Sequence, residues 1–433
     1  MGIRDSYSVE HVHADVLCAA TNNPVTGAMR GFGAPQVNFA VEQIADIAAE
    51  RLGISPLEYR RINMVKQDGE TVTGQILNTH TVSLQQVMEK VADEIGYEEK
   101  LEHCSRGKSD GDELYGVGLS VSYRGSSLGA EGMDFCSAVV NCQFDGSILL
   151  ETAIHENGQG SESVMMLILS DELGVDLGRI RYRRSSTSNV PDGGTTVATR
   201  GTIMGGGAVT IAARKLKRLM AEQLSDILQC RPEQVRFAED ALWGPDDESK
   251  ISWDEAMKHL FLKRVYPYAF GAFQAPDVSW DEETGQGDAY FTYVYSSQAV
   301  ELTVNKKTGK ISLKNIVAGH DIGRAINRAM ILGQMYGGIT QGSGMALMEG
   351  LDLEQGKIKN TDLNRYKIPR ATDMPDMTGI IVENHDPQSP SGAKGIGEPA
   401  LELIAPAIAN AVYNATGIRY RDLPIKVKPE ELV

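Results

Sequence analysis

Clustered cysteine is missing from this chain of 433 residues. Its five cysteines are scattered, and no Cys-x-x-Cys pair occurs among them: Cys18, Cys104, Cys136, Cys142 and Cys230. Zinc sites and iron–sulfur clusters need several thiolates close together, so the sequence argues against both. An odd number of cysteines without a pattern fits thiols that stay reduced, which favours a cytoplasmic protein.

Positive charge is also scarce. Lys and Arg number 42 against 58 Asp and Glu, and the formal net charge is −16. We do not expect an acidic chain without a stripe of basic and aromatic residues to bind nucleic acid. The chain lacks the run of about 18 apolar residues that a membrane span needs. Residues 1–10 are polar and lack the apolar stretch of a signal peptide.

Apolar residues still make up 42% of the chain, enough for a large core and, at this length, two or three domains. Strand and helix patterns are intermixed along it. We expect strands at 12–20, 116–122, 137–144, 147–154, 180–184, 265–273, 290–304 and 311–319, helices at 36–52, 84–95, 161–173, 328–347 and 399–415, a short helix after Ser55-Pro56, a long helix ending near 228, and a charged linker at 97–113. This mixture predicts an α+β fold with mixed or antiparallel sheets and packed helices.

The segment Ser-Gly-Ala-Lys-Gly-Ile-Gly-Glu-Pro at 391–399 is the most informative one. Glu398 lies between a glycine-rich turn and Pro399, and proline suits the first turn of a helix. Gly395 and Gly397 let the backbone approach a ligand closely. A carboxylate held there, away from water, is a candidate general base. The alternative is an exposed Glu that the dipole of the following helix favours.

Four more Gly-rich segments occur, at 27–36, 156–160, 192–200 and 341–344. Backbone N–H groups at junctions with helices favour an anion, especially phosphate. One such loop is common, but four with amide or hydroxyl side chains predict a large polar ligand held from several sides. Glycines 205–207 do not form a dinucleotide motif, because no strand precedes them and no acidic residue follows at the required distance.

Taken in order, these segments resemble the molybdenum-binding subunit of the xanthine dehydrogenase and aldehyde oxidase family, the molybdenum hydroxylases. The resemblance extends over essentially the whole chain and also includes the helix around Gln341. Its motifs are Arg-Gly-Phe-Gly-Ala-Pro-Gln at 30–36, Gly-Gln-Gly at 158–160, Val-Ala-Thr at 197–199, Asp-Ile-Gly at 321–323, Tyr-Lys-Ile-Pro at 366–369 and Lys-Gly-Ile-Gly-Glu-Pro at 394–399.

The resemblance implies a molybdopterin cofactor, in its mononucleotide or cytosine dinucleotide form, whose molybdenum is held by the pterin dithiolene and not by protein side chains. It implies Glu398 and Gln159 as catalytic residues and Phe32 and Arg30 as substrate-binding residues. The implied cofactor-binding residues are Arg30, Gly31, Gly158, Gln159, Gly160, Val197, Ala198, Thr199, Gln341, Lys394 and Ile396.

Structural alternatives stand beside these roles. Phe32 also fits a core aromatic residue, Arg30 an ion pair, and Gln159 a turn amide. Gln341 also fits a helix former, and Lys394 a solvated charge. His155 beside a glutamate invites a metal-site interpretation, but a lone His at the end of a strand is more often a packing or hydrogen-bonding residue.

The resemblance implies an oxidoreductase that inserts oxygen from water at an electron-poor carbon of a purine, an N-heteroaromatic compound or an aldehyde. Electrons would pass to iron–sulfur and FAD groups on partner chains. Gly31 stands where the family's carbon monoxide dehydrogenases have cysteine, which argues against a copper–molybdenum site. The alternatives are a non-catalytic assembly subunit of such a complex and a CoA-thioester reductase of the same family.

The family's N-terminal loop Gly-Gly-Phe-Gly-Gly-Lys has no counterpart here, so the chain resembles the C-terminal half of the subunit, as a split subunit or a fragment. We expect 1–105 to be the C-terminal piece of the first molybdopterin-binding domain. The second would span 106–433, with possible sub-lobes at 106–250 and 251–433. The expected partners are the N-terminal half, an Fe–S subunit and an FAD subunit, which act with this chain on a small-molecule substrate.

Overall fold

The computed structural model describes residues 6–109, 111–188, 190, 192–246 and 248–432. The helices within these residues are α1 (Ala34–Leu52), α2 (Pro56–Asn63), α3 (Leu84–Ile95), α4 (Tyr97–Glu102), α5 (Ser161–Leu173), α6 (Gly206–Leu224), α7 (Trp253–Leu262), α8 (Arg328–Leu347), α9 (Pro399–Glu402) and α10 (Ile404–Thr416). The strands are β1 (Glu113–Gly125), β2 (Phe135–Cys142), β3 (Ile148–Thr152), β4 (Ile180–Tyr182), β5 (Arg236–Ala238), β6 (Ala241–Trp243), β7 (Lys250–Ser252), β8 (Tyr268–Gln274), β9 (Trp280–Asp281), β10 (Gln286–Gly287), β11 (Tyr293–Asn305), β12 (Ile311–Asp321), β13 (Leu353–Glu354), β14 (Lys357–Ile358) and β15 (Asp376–Val382).

Two four-stranded mixed sheets organise these elements. Sheet A has the order β1-β11-β12-β15, in which β12 and β15 are parallel and the other pairs antiparallel. Sheet B has the order β4-β3-β2-β8, in which β3 and β4 are parallel. A three-stranded sheet, β5-β6-β7, and two short hairpins complete the strands. The predicted α+β fold with mixed sheets and packed helices is confirmed.

Helices cover both faces of sheet A. On one face α3 approaches so closely that a Cβ at Gly319 of β12 would lie 2.7 Å from Val91 Cγ2. On the other face α10 packs so tightly that a Cβ at Gly118 of β1 would lie 2.3 Å from the Ala407 carbonyl. These glycines let helix backbones lie against the sheet, and the apolar cores on its two faces form there. Sheet B packs in a similar way on α5 and α6.

Three local predictions are wrong. Residues 12–20 form no strand but an exposed irregular segment, because no strand among the described residues pairs with them. The stretch predicted as a linker contains α4, in which Tyr97 and Leu101 are buried. The last predicted helix is interrupted at Leu403, so α9 and α10 are separate helices.

Each sheet combines strands from both sides of residue 250, because β1 pairs with β11 and β2 pairs with β8. The boundaries 1–105 and 106–433, and the sub-lobes divided near residue 250, remain sequence-based predictions. No helix among the described residues is long and apolar enough to cross a membrane.

Candidate active site

A cavity of about 1020 Å³ lies where the Gly-rich loops meet. Helices α1 and α5 and the π-helical turn Gly201–Gly205 begin at its wall, with Ala34, Ser161 and Gly201 as the first helical residues. The loops before these helices, the segment that leads into α9, the first turns of α8 with the residues before it, and the end of β1 line much of the rest of the wall. Four of the five predicted Gly-rich segments thus converge on one space.

Glu398 lines this cavity, and the exposed fraction of its side chain is 13%. Its Oε2 accepts a hydrogen bond from the Thr199 hydroxyl at 3.0 Å and lies 2.7 Å from Arg124 Nη2. Its Oε1 accepts from the Gly31 N–H at 3.2 Å. Three separate segments therefore hold one carboxylate, and Glu398 is not the exposed helix-terminal Glu of the alternative interpretation.

Sequence reasoning missed Arg124 and Glu402. Arg124 lies near the end of β1, and its Nη1 donates to Glu402 Oε1 at 2.6 Å and to the Gly31 carbonyl at 2.8 Å. The Glu402 side chain on α9 has no exposed surface. Burial alone lowers the pKa of Arg124, but the carboxylates of Glu402 and Glu398 outweigh it and raise the pKa above its ordinary value. The sequence signals were weak: Arg124 is a charge at the end of a strand, and Glu402 is a charge within a mainly apolar helical run.

Arg30 joins the first loop to the Glu398 segment and to α8. Its Nε donates to the Gly397 carbonyl at 2.5 Å, and its Nη2 donates to Gln334 Oε1 at 3.2 Å. Gln341 is reached only by a 3.4 Å contact with Arg30 and is not part of the cavity wall, whereas Gln334 is. Gln334 is therefore the amide that α8 presents to the site, one that the sequence did not single out.

The loop at 197–199 has an unusual backbone. Ala198 and Thr199 have positive φ angles of 49° and 59°, which non-glycine residues seldom adopt. Their N–H groups donate no hydrogen bond within the described residues. Gly395 packs directly against this loop, and a Cβ there would lie 2.0 Å from the Thr199 carbonyl. The two loops thus touch backbone to backbone beside the cavity.

Arg200 stabilises the same loop from behind. Its side chain is buried and lies 2.6 Å from Asp134, and it donates to the carbonyls of Gly193, Thr195 and Phe135. A buried guanidinium with this many acceptors fixes the loop's path. The sequence placed Arg200 in a Gly-rich segment but did not indicate that its side chain would hold the loop in place.

Gln159 lines the cavity, but its side chain is turned onto its own loop. Its Nε2 donates to the His155 carbonyl at 2.9 Å, and its Oε1 accepts from the Asn157 N–H at 2.5 Å. The neighbouring Glu156 accepts from the N–H groups of Gly158 and Gly160, each at 2.8 Å. In this conformation Gln159 is the turn amide of the alternative interpretation, and a role at a metal requires its side chain to rotate.

Phe32 also lines the cavity, and 63% of it is exposed. It is therefore not a core aromatic residue in this chain. Phe32 has a positive φ of 47°, and the glycines on either side of it, Gly31 and Gly33, also have positive φ. This turn projects the ring away from the body of the chain, at an open side of the cavity.

Lys394 is buried, so the solvated alternative is wrong. Its Nζ lies 3.2 Å from Asp321 Oδ2 and 5.3 Å from the centre of the Tyr295 ring. Of the remaining predicted residues, Gly158, Val197 and Ile396 line the cavity, whereas Gly31 and Gly160 lie behind it. A Cβ at Gly160 would lie 2.7 Å from Met330 Sδ, so this glycine serves the packing of α5 against α8.

The charges around the cavity are strongly unequal. Glu398 is the only carboxylate that the described residues contribute to its wall. Five cationic side chains also line it: Arg30, Arg124, Arg200, Arg324 and Lys394. Arg30 alone among these has no carboxylate within ion-pair distance in the described part of the chain. Burial lowers the pKa of Arg30, with Glu398 and Glu402 opposing the shift. Arg30 is therefore the cation of this wall that is available to an anionic ligand.

The described residues contain no group of three or more His, Cys, Asp or Glu side chains arranged to hold a metal ion. His155 lies near Thr196 and belongs to no such group. A metal at this site would therefore need ligands that the described residues do not supply.

The sequence matches two family models, each described as a molybdopterin cofactor-binding domain, at residues 1–64 and 90–375. The second match spans more than half of the chain. This chain therefore belongs to the molybdopterin-binding subunits of the molybdenum hydroxylase family, as its motifs predicted.

Curated relatives support this assignment. The chain is 29% identical to the putative xanthine dehydrogenase molybdenum-binding subunit of Escherichia coli, over 94% of this chain and 53% of the relative. It is 30% identical to the aldehyde oxidoreductase of Megalodesulfovibrio gigas, over 96% of this chain and 43% of the relative. The chain thus spans about half the length of the curated relatives it matches.

Solved structures show the same fold. The aldehyde oxidoreductase of Desulfovibrio gigas superposes with a TM-score of 0.77 at 29% identity, over 94% of this chain and 41% of that one. The quinoline 2-oxidoreductase of Pseudomonas putida 86 superposes with a TM-score of 0.83 at 23% identity, over 94% of this chain and 52% of that one. At the lower identity, the likeness concerns the fold alone.

Proposed function

We propose that this chain forms one wall of the active site of a molybdopterin-dependent oxidoreductase, with Glu398 as the general base. One observation carries the proposal. Glu398 is the only carboxylate that the described residues place in a large cavity lined by five cations, in a chain whose net charge is −16. A base must reach the bound substrate and be shielded from bulk water, and Glu398 lines the cavity with only 13% of its side chain exposed.

The residues of the cavity fit the cofactor that the family implies. The N–H groups of Ala198 and Thr199, which donate to no described residue, are suitable donors for a phosphate, and Arg30 offers a guanidinium that forms no ion pair with a described carboxylate. Lys394, Ile396 and Gly158 would complete the pterin contacts. When bound, the molybdenum–pterin group supplies the two-electron oxidation of the substrate and carries the electrons away. Its form, mononucleotide or cytosine dinucleotide, is a matter for pterin analysis.

Glu398 would take up the proton that is released as oxygen from water is inserted. Each carboxylate oxygen has two lone pairs. Those of Oε2 are directed to Arg124 and Thr199, whereas Oε1 has one donor, the Gly31 N–H. The proton would therefore be accepted at Oε1. The 197–199 and 394–398 loops pack so closely that a Cβ at Gly395 would lie 2.0 Å from the Thr199 carbonyl, and this packing would limit the access of water from that side.

Phe32 would bind the substrate. Its exposed ring at the open side of the cavity offers a flat face on which an aromatic heterocycle can stack. Purines, N-heteroaromatic compounds and aldehydes are the proposed substrate classes. The exposed ring would suit a second wall from a partner chain, and the proposed partners are the N-terminal half of such a subunit, an Fe–S subunit and an FAD subunit.

The test is purification of the native complex that contains this chain, followed by metal and pterin analysis and an activity panel of heterocycles and aldehydes. We expect stoichiometric molybdopterin and turnover of at least one compound. A complex that holds the cofactor but oxidises none of these compounds, and only reduces CoA thioesters, would identify the thioester reductase instead. A complex without cofactor or turnover would identify an assembly subunit.

A further inference from the structure

Two buried carboxylates share one guanidinium beneath the cavity. Arg124 places Nη2 2.7 Å from Glu398 and Nη1 2.6 Å from Glu402. The exposed fractions of the three side chains are 6% for Arg124, 13% for Glu398 and 0% for Glu402. Among the five cations of the cavity wall, Arg124 alone pairs with two carboxylates of the described residues, so the second carboxylate at this site needs a physical reason.

The explanation lies in the charge balance during proton uptake. If Glu398 were the only partner of Arg124, its protonation would leave a buried cation without a counter-ion, which is costly. Glu402 lies deeper than Glu398, and an ionised Glu402 at 2.6 Å would still balance the charge of Arg124 when Glu398 is neutral. The cluster therefore changes from a net charge of about −1 to about 0, and at no point contains an isolated positive charge.

We propose that Arg124 is a positioning residue that holds Oε2 of Glu398, and that Glu402 is its permanent counter-ion, so that Glu398 can take up and release a proton at Oε1. This inference rests on the proposed role of Glu398 as the base. No bond other than the transferred O–H bond changes, and Arg124 keeps its protons throughout.

The other charged and titratable groups nearby are Arg30 and Tyr290. Arg30 lies in the loop before α1 and interacts with both carboxylates through its charge, and Tyr290 lies before β11 and interacts with Arg124. Neither bridges the two carboxylates. Both stay unchanged when Arg124 and Glu402 are substituted, so they provide a constant background for the comparison.

The experiment compares Arg124→Met, Glu402→Gln and the double variant in the native complex. Loss of Arg124 removes the attraction that favours ionised Glu398, so the acid limb of the pH–rate profile should move up by about 1 pH unit or more. Loss of Glu402 removes the competing carboxylate, so that Glu398 becomes the only carboxylate paired with Arg124. The acid limb should therefore move to lower pH. The acid limb of the double variant should lie between those of the two single variants, because the two substitutions act in opposite directions.

A second readout does not depend on turnover. Infrared spectra of the complex, with the glutamates labelled by carbon-13 and Glu398→Gln as the reference, report the protonation of this carboxyl directly. Its titration should shift in the same opposite directions in the two single variants. The Arg124→Lys variant keeps the positive charge but loses the planar guanidinium that contacts both carboxylates. We therefore expect the wild-type acid limb with a several-fold lower kcat.

Opposite shifts in the single variants and an intermediate acid limb in the double variant would support the proposal. Shifts in the same direction, or an unchanged titration in all variants, would overturn it while leaving Glu398 as the base. If Arg124→Met does not fold, the Glu402→Gln variant alone still tests whether the acid limb moves down as expected. If Glu398→Gln is fully active, the proposed function itself fails, and this outcome is recorded separately from the titrations.

Discussion

Thr199 and Glu398 form a reciprocal pair although they lie 199 positions apart in the chain. The Thr199 hydroxyl donates to Glu398 Oε2 at 3.0 Å and accepts from the Glu398 N–H at 3.2 Å. One hydroxyl therefore fixes both the side chain and the backbone of the proposed base. Its own position depends on a left-handed backbone, which Arg200 and the contact with Gly395 hold in place.

The first prediction concerns this hydroxyl. Thr199→Val removes the donor to a charged carboxylate, so we expect a roughly tenfold to hundredfold lower kcat. Thr199→Ser keeps the hydroxyl and should retain most of the activity. Steady-state kinetics with equal molybdenum content in both variants provides the measurement. Equal activities of the valine and serine variants would contradict the role of the hydroxyl.

The second prediction concerns the base itself. Glu398→Gln preserves size but cannot accept the proton, so kcat should fall by about 10²- to 10⁴-fold or more. Molybdenum and pterin content should remain at the wild-type level, because the amide can still occupy the same space. Glu354→Gln, at an exposed residue in the β13–β14 hairpin, is the control and should leave activity unchanged. Normal turnover in the Glu398→Gln variant would refute the assignment.

The third prediction uses two glycines of one loop. In Gly395→Ala the new Cβ would lie 2.0 Å from the Thr199 carbonyl, so the two loops must separate. We expect a stability loss of about 1–3 kcal/mol and a reduced molybdenum content. At Gly397 the nearest atom would lie 3.8 Å away, so Gly397→Ala is the matched control and should change both quantities little. Thermal unfolding and metal analysis test the pair.

The fourth prediction concerns stability in mild acid. Burial, assisted by the charge of Lys394, lowers the pKa of His80 to about 3, and burial lowers the pKa of His320 to about 4. Both values lie below the ordinary value of about 6.5, so the unfolded chain binds more protons than the folded chain in this range. Stability from these groups is therefore complete above about pH 6.5 and is lost as the pH falls.

Between pH 7 and pH 5 the loss should be about 2 kcal/mol for each histidine. Urea unfolding at the two pH values measures it. His80→Asn should remove about half of the acid sensitivity that the two histidines contribute, whereas substitution of the exposed His13 should leave it unchanged. An identical pH dependence in the His80 variant would show that this histidine is not buried in its neutral form.

Periodicity in the sequence was sufficient for the long elements. The predicted helices at 84–95, 161–173 and 328–347 agree with α3, α5 and α8, because the first shows a regular apolar face and the others are bounded by clear turn residues. The same reasoning failed at 12–20. The alternation of apolar residues there is typical of a strand, but a strand also needs a neighbour, and a local pattern contains no information about one.

The sequence by itself determined the family, the mixed fold and the loops that surround the cavity, because glycine spacing and short motifs are local features. It also singled out Glu398. Only the tertiary structure decided what Glu398 is paired with. Arg124 and Glu402 lie 278 positions apart and contain no motif, and they meet because sheet A places the end of β1 beside the start of α9. Long-range charge pairing depends on how elements pack, so the residues that hold the base became visible only in three dimensions.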